Sequence, residues 1–111
     1  MSTKDLDCLA NILESIEKIE LYTIKFKNAD ELYEDSKSFD AVLMNFIIIG
    51  EMVLKLSDEF KSKNSSIEWW KIKGLRNIVT HDYFGVDAEE IWQINKTKLP
   101  ELKNFILNIS N

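Results

Sequence analysis

Apolar residues recur at steps of three and four along most of this chain, the period of one helical face. Leu6, Leu9, Leu13 and Ile16, continued by Ile19 or Glu20, form the first such stripe. Ser2 or Thr3 is a suitable cap, and the spacing predicts a helix from there to about Lys27. Asn28-Ala29-Asp30 reads as a break, and Glu31 to Tyr33 as a short helical turn before a long central helix from about Ser36 to Lys61. That helix carries two stripes. Phe39, Val42, Phe46, Ile49, Val53, Leu56 and Phe60 make one, and Ala41, Met44, Ile48 and Met52 lie beside it. A helix at the edge of a small bundle needs one buried face. The second stripe therefore calls for a second copy of the chain in a two-fold homodimer or, as the alternative, for a central position in a monomer.

The second half is more punctuated. Lys61 to Ser66 is a polar connection, and Ser66, with Glu68 and Trp69 behind it, begins a further helix. Gly74 is expected to interrupt or re-aim that helix, whose apolar residues Leu75, Ile78 and Val79 lead to an end near His81. Asp87-Ala88-Glu89-Glu90 has the form of a capping box, and Pro100 suits the first turn of a last helix through about Leu107. The pattern describes an all-α, compact up-and-down bundle of four to five helices, with residues 1–111 as a single domain. Three glycines and one proline among 111 residues, 45% of them hydrophobic, agree with helices rather than strands.

Charge and cysteine usage narrow the function. Nineteen acidic against 14 basic residues give a net charge of −5, unlike a general nucleic-acid binder. Yet from Lys61 to His81 five basic residues (Lys61, Lys63, Lys71, Lys73 and Arg76) face Glu68 alone, a basic patch on an acidic body. Cys8 has no partner for an intrachain disulfide, and the opening residues lack a secretory pattern, so a cytoplasmic protein is expected. The run from Ala41 to Ile49, interrupted by Asn45, is too short for a membrane span of about 20 residues.

The sole histidine lies in Arg76-Asn77-Ile78-Val79-Thr80-His81-Asp82-Tyr83-Phe84-Gly85. Histidine exchanges protons near neutral pH, and an arginine fork holds phosphate oxygens, so the pair suits RNA cleavage by attack of a ribose 2′-hydroxyl. On an ideal helix, however, five positions separate them by about 140°. Either the chain leaves regular helix near His81, or a second subunit completes the site. The blander readings are a histidine closing a helix end and an arginine paired with Asp82. Glu51, if buried, needs a partner such as Arg76. Asn77 is a helix-end hydrogen-bonder or a second phosphate contact, and Tyr83 an amphipathic packing residue. Trp69, Trp70 and Trp92 are suited to packing or to stacking on bases. One cysteine and one histidine cannot form a zinc site, and no nucleotide-binding glycine loop is present, so no metal or cofactor is expected.

Arg76-Asn77 followed by His81-Asp82-Tyr83 resembles the signature of the HepT-like branch of the HEPN superfamily. The likeness extends to Ile48-Ile49-Gly50-Glu51, Lys55-Leu56-Ser57, Trp70, Phe84-Gly85-Val86-Asp87, Trp92 and Leu99-Pro100 with Leu102-Lys103, nearly the whole chain. Met52 and Trp69 depart from the pattern at packing positions. The resemblance implies a dimeric helical bundle acting as a metal-independent endoribonuclease toxin, with Arg76 and His81 as the catalytic pair in a cleft between subunits. Asn77 and Glu51 then support them. It also implies a minimal nucleotidyltransferase antitoxin that silences the toxin by AMP transfer to Tyr83, and it suggests transfer RNA as substrate. The alternatives are a non-catalytic helical dimer that binds the nucleotidyltransferase or a nucleotide, and an interaction module in which Arg76 and His81 only close a helix.

Overall fold

The computed structural model describes residues 1–110. Six α-helices occupy them with no strand: α1 (Thr3–Thr23), α2 (Ala29–Glu34), α3 (Ser36–Lys55), α4 (Asp58–Lys63), α5 (Trp69–Thr80) and α6 (Ala88–Ser110). A single 3₁₀ turn, Tyr83–Gly85, joins the last two. The chain is thus the expected all-α bundle, with more helices than the four to five read from the pattern.

Local chemistry accounts for the differences. Ser2 caps α1 by accepting from the Asp5 amide at 3.0 Å, but α1 ends at Thr23, short of Lys27, where the threonine hydroxyl bonds back to the Ile19 carbonyl at 2.8 Å. The central helix stops at Lys55 because Leu56 is extended and Ser57 caps a new helix, accepting from the Phe60 amide at 3.1 Å. Gly74 does not interrupt α5. A side chain there would meet open space, and the buried Trp69, Ile72, Leu75 and Val79 hold the helix against a glycine penalty of about 1 kcal/mol. Nor does Pro100 begin a helix. It lies inside the 23-residue α6, where buried Leu99, Leu102 and Ile106 anchor the turns around it.

A contact across 52 residues holds the junction after α3. The buried Asp5 carboxylate accepts from the Ser57 amide at 2.8 Å and from its hydroxyl at 2.7 Å, tying α1 to the α3–α4 junction. These bonds, the amide's first, hold the Asp5 carboxyl below its ordinary value of 3.8. Its stabilisation is present above the unfolded-state pKa and is lost as pH falls through the folded one. Asp5→Ala should therefore lower stability by about 2 kcal/mol at neutral pH, and acid denaturation should show the difference between the two proteins closing below pH ~4.

The helix α3 is packed between α1 and α5, and α6 lies against α1 and α2. Its stripe Phe39, Val42, Phe46, Ile49 and Val53 is fully in the core, with Ile12, Ile16 and Ile19 of α1 and Leu75 and Val79 of α5. Trp69 is also buried, packed edge-on against Phe105 at 5.7 Å, and its indole N–H donates to the Asn64 carbonyl. The second stripe of α3 is only partly covered: Met44 is 56% exposed, and Ala41, Ile48 and Met52 are half-buried. No helix of the described residues is long and apolar enough to cross a membrane.

Candidate functional site

The crossing of α3 and α5 depends on Gly50. A Cβ there would lie 2.8 Å from the Arg76 Cβ, 3.0 Å from the Arg76 nitrogen and 3.1 Å from the Lys73 carbonyl. Only glycine lets the backbones approach this closely. The contact fixes the root of Arg76 against α3, and its Nε pairs with Oε1 of Glu51, the residue after Gly50. Glu51 is therefore the arginine's partner, and Asp82 is not. The Arg76 side chain is 44% exposed and that of Glu51 39%, so the pair is open to water and worth at most about 1 kcal/mol. A guanidinium held this lightly remains able to turn toward a phosphate.

His81 is the C-cap of α5. Its backbone keeps helical angles (φ −74°, ψ −37°), and its N–H donates to the Asn77 carbonyl at 3.1 Å. The chain does not leave regular helix before the histidine, so Arg76 and His81 stay about 140° apart around the axis. Asn77, one turn earlier, shares the face of His81, and both are exposed.

The turn comes at Asp82, whose carboxylate accepts from the Gly85 amide at 3.0 Å. Any side chain at Gly85 would run into that carboxylate. The turn swings Tyr83 back over α3, where its hydroxyl donates to Oδ1 of Asp40 at 2.6 Å. That bond, with some desolvation, raises the Tyr83 phenol above its ordinary value of 10. Tyr83 is 46% exposed and Phe84, stacked edge-on against it, 96%. Tyr33, Phe39, Asp40 and Leu43 complete a hollow of about 270 Å³ beneath them. Asp40 has no counterpart in the sequence reading. It lies 43 residues before its partner, and an aspartate on the polar side of an amphipathic helix carries no signal of its role.

A model of the HepT-like ribonuclease family matches residues 12–109. The chain belongs to that family. Among curated relatives of this HepT-like chain, a Methanocaldococcus jannaschii protein named "Gamma-glutamylcyclotransferase and putative RNase" is 42% identical over 101 residues, 91% of this chain. The match spans 45% of that longer protein. The "Probable ribonuclease HepT" of Thermococcus cleftensis is 34% identical over 103 residues, covering 93% of each chain. No solved structure matches at a significant level.

Proposed function

We propose that this HepT-like protein is a metal-independent endoribonuclease toxin whose site forms across a two-fold homodimer. The observation that carries this reading is the divergence of Arg76 and His81 on an unbroken helix, beside an α3 stripe left partly uncovered. Positions about 140° apart on one helix point away from a single phosphate. Two copies related by a two-fold axis bring a pair of arginines and a pair of histidines to one cleft. One His81 takes the proton of a ribose 2′-hydroxyl, the oxygen attacks phosphorus, and the other His81 protonates the departing 5′-oxygen. Arg76, released from Glu51, holds the non-bridging oxygens as charge develops, and Asn77 adds a polar contact. Transfer RNA is the substrate class that the family resemblance suggests. Incubating purified protein with total RNA in excess chelator tests the reading. Discrete fragments from the wild type, absent with His81→Ala, support it, whereas no fragments from the wild type would leave a non-catalytic dimer that docks its partner.

Silencing by a nucleotidyltransferase fits the placement of Tyr83. Its oxygen would attack the α-phosphorus of a nucleoside triphosphate, the bond to pyrophosphate would break, and the phenolic proton would pass to Asp40. AMP adds bulk and negative charge two residues from His81, obstructing the cleft and repelling RNA. With the partner enzyme and ATP, Tyr83→Phe should accept no AMP and keep cutting. Asp40→Asn should accept it at least tenfold more slowly, measured by the mass of the intact chain.

A further inference from the structure

The basic stretch from Lys61 to Arg76 carries an exposed tryptophan as well as the arginine. Of the three tryptophans, Trp69 and Trp92 are buried, whereas Trp70 is 68% exposed. Trp70, Lys73, Asn77 and His81 follow one another at steps of three, four and four, so they lie in one row along α5. All four are exposed. The row is about 16 Å long at 1.5 Å per residue. At its far end Trp70 and Lys73, with Val53, Lys61 and Trp69, line a hollow of about 240 Å³. The Lys71 ammonium lies 5.3 Å from the Trp70 ring centroid, on one side of the indole. Lys73 has no ion-pair partner among the described residues, unlike Lys61, Lys63 and Lys71. An exposed indole beside an unpaired ammonium is the combination that holds single-stranded nucleic acid, with stacking for a base and positive charge for its phosphate.

We propose that this hollow is an RNA subsite, in which Trp70 stacks on an unpaired base and Lys73 holds the neighbouring phosphate. The strand then runs along α5 to His81. This rests on the nuclease reading for its purpose but not for its test. The net charge of −5 confines RNA to such a patch, and the open surface at Gly74 leaves the row unobstructed.

The test uses the full-length His81→Ala protein, which would not consume its ligand, and a short fluorescein-labelled oligoadenylate followed by anisotropy. Adding Trp70→Ala should weaken binding about tenfold, and Trp70→Phe should restore most of it. Adding Lys73→Gln should lower the slope of log affinity against log salt by about 0.7. Leu21→Ala, at an exposed position on α1, serves as the surface control, and circular dichroism verifies folding. Unchanged binding by the Trp70→Ala protein would overturn the proposal. So would retained oligoadenylate binding with loss of binding to the purified nucleotidyltransferase, which would make the patch a protein-docking surface. The two readings separate cleanly. RNA cut by the wild type and by Trp70→Ala with the same KM removes the subsite and keeps the nuclease. Trp70-dependent binding without any cleavage by the wild type does the reverse.

Discussion

Replacing His81 by alanine should lower RNA cleavage at least a thousandfold and leave the fold intact. The side chain is exposed at a helix end, and its backbone bond to Asn77 survives the substitution, so stability should change by less than about 0.5 kcal/mol. The loss in rate is large because each proton transfer by a positioned histidine is worth about 10²–10⁴-fold, and the proposed site uses two. Arg76→Ala should cost about 10²–10³-fold through the lost stabilisation of charge on phosphorus. The sharper result comes from mixing. When wild-type and His81→Ala chains are co-expressed and the dimers randomised, cleavage should fall as the square of the wild-type fraction, because one histidine cannot serve both sides of the phosphate. A linear fall would mean that each subunit carries its own complete site, and would discard the shared cleft.

What the sequence makes legible follows from the range of each interaction. The core stripe is readable because periodicity is local and burial enforces it: the positions from Phe39 to Phe60 that the pattern assigns to the core are all buried, although Leu56 and Phe60 lie beyond the end of α3. The break after Lys55 is harder to see: Ser57 before Asp58 and Glu59 has the form of a helix start, but the apolar stripe runs on through Leu56 and Phe60, and the carboxylate that holds Ser57 lies 52 residues away. Propensity alone makes Gly74 and Pro100 punctuation, which packing overrides when flanking residues are buried. The candidate site divides in the same way. Arg76, Asn77, His81 and Tyr83 stand in one short motif, whereas the sequence offers Arg76 to Glu51 only on the condition that Glu51 is buried, and the pair forms with Glu51 39% exposed. The hydrogen bond from Tyr83 to Asp40, and the choice of Trp70 as the exposed tryptophan, depend on how α3, α5 and the turn after it meet.

Gly50→Val should both destabilise the protein and disable it. The first added carbon already overlaps the Arg76 Cβ and crowds two backbone atoms of α5, which cannot turn away as a flexible side chain can. Relief requires α5 to move off α3, opening contacts of Leu75 and Val79 with the core, for a cost of about 3 kcal/mol. Urea unfolding should register this as a lower midpoint at unchanged slope. The same movement carries Arg76 away from Glu51 and from the phosphate it would hold. A misplacement of about 1 Å is enough to cost roughly a hundredfold in cleavage at temperatures where the variant is folded. Gly74 supplies the comparison within the same helix pair. Its added methyl meets nothing within 4 Å, so Gly74→Ala should gain up to about 1 kcal/mol from helix propensity alone. Opposite signs at the two glycines would establish that Gly50 is required by the close crossing. If Gly50→Val kept wild-type stability and cleavage, the crossing could not be what sets the position of Arg76, and the aim of the guanidinium would have to come from the dimer partner.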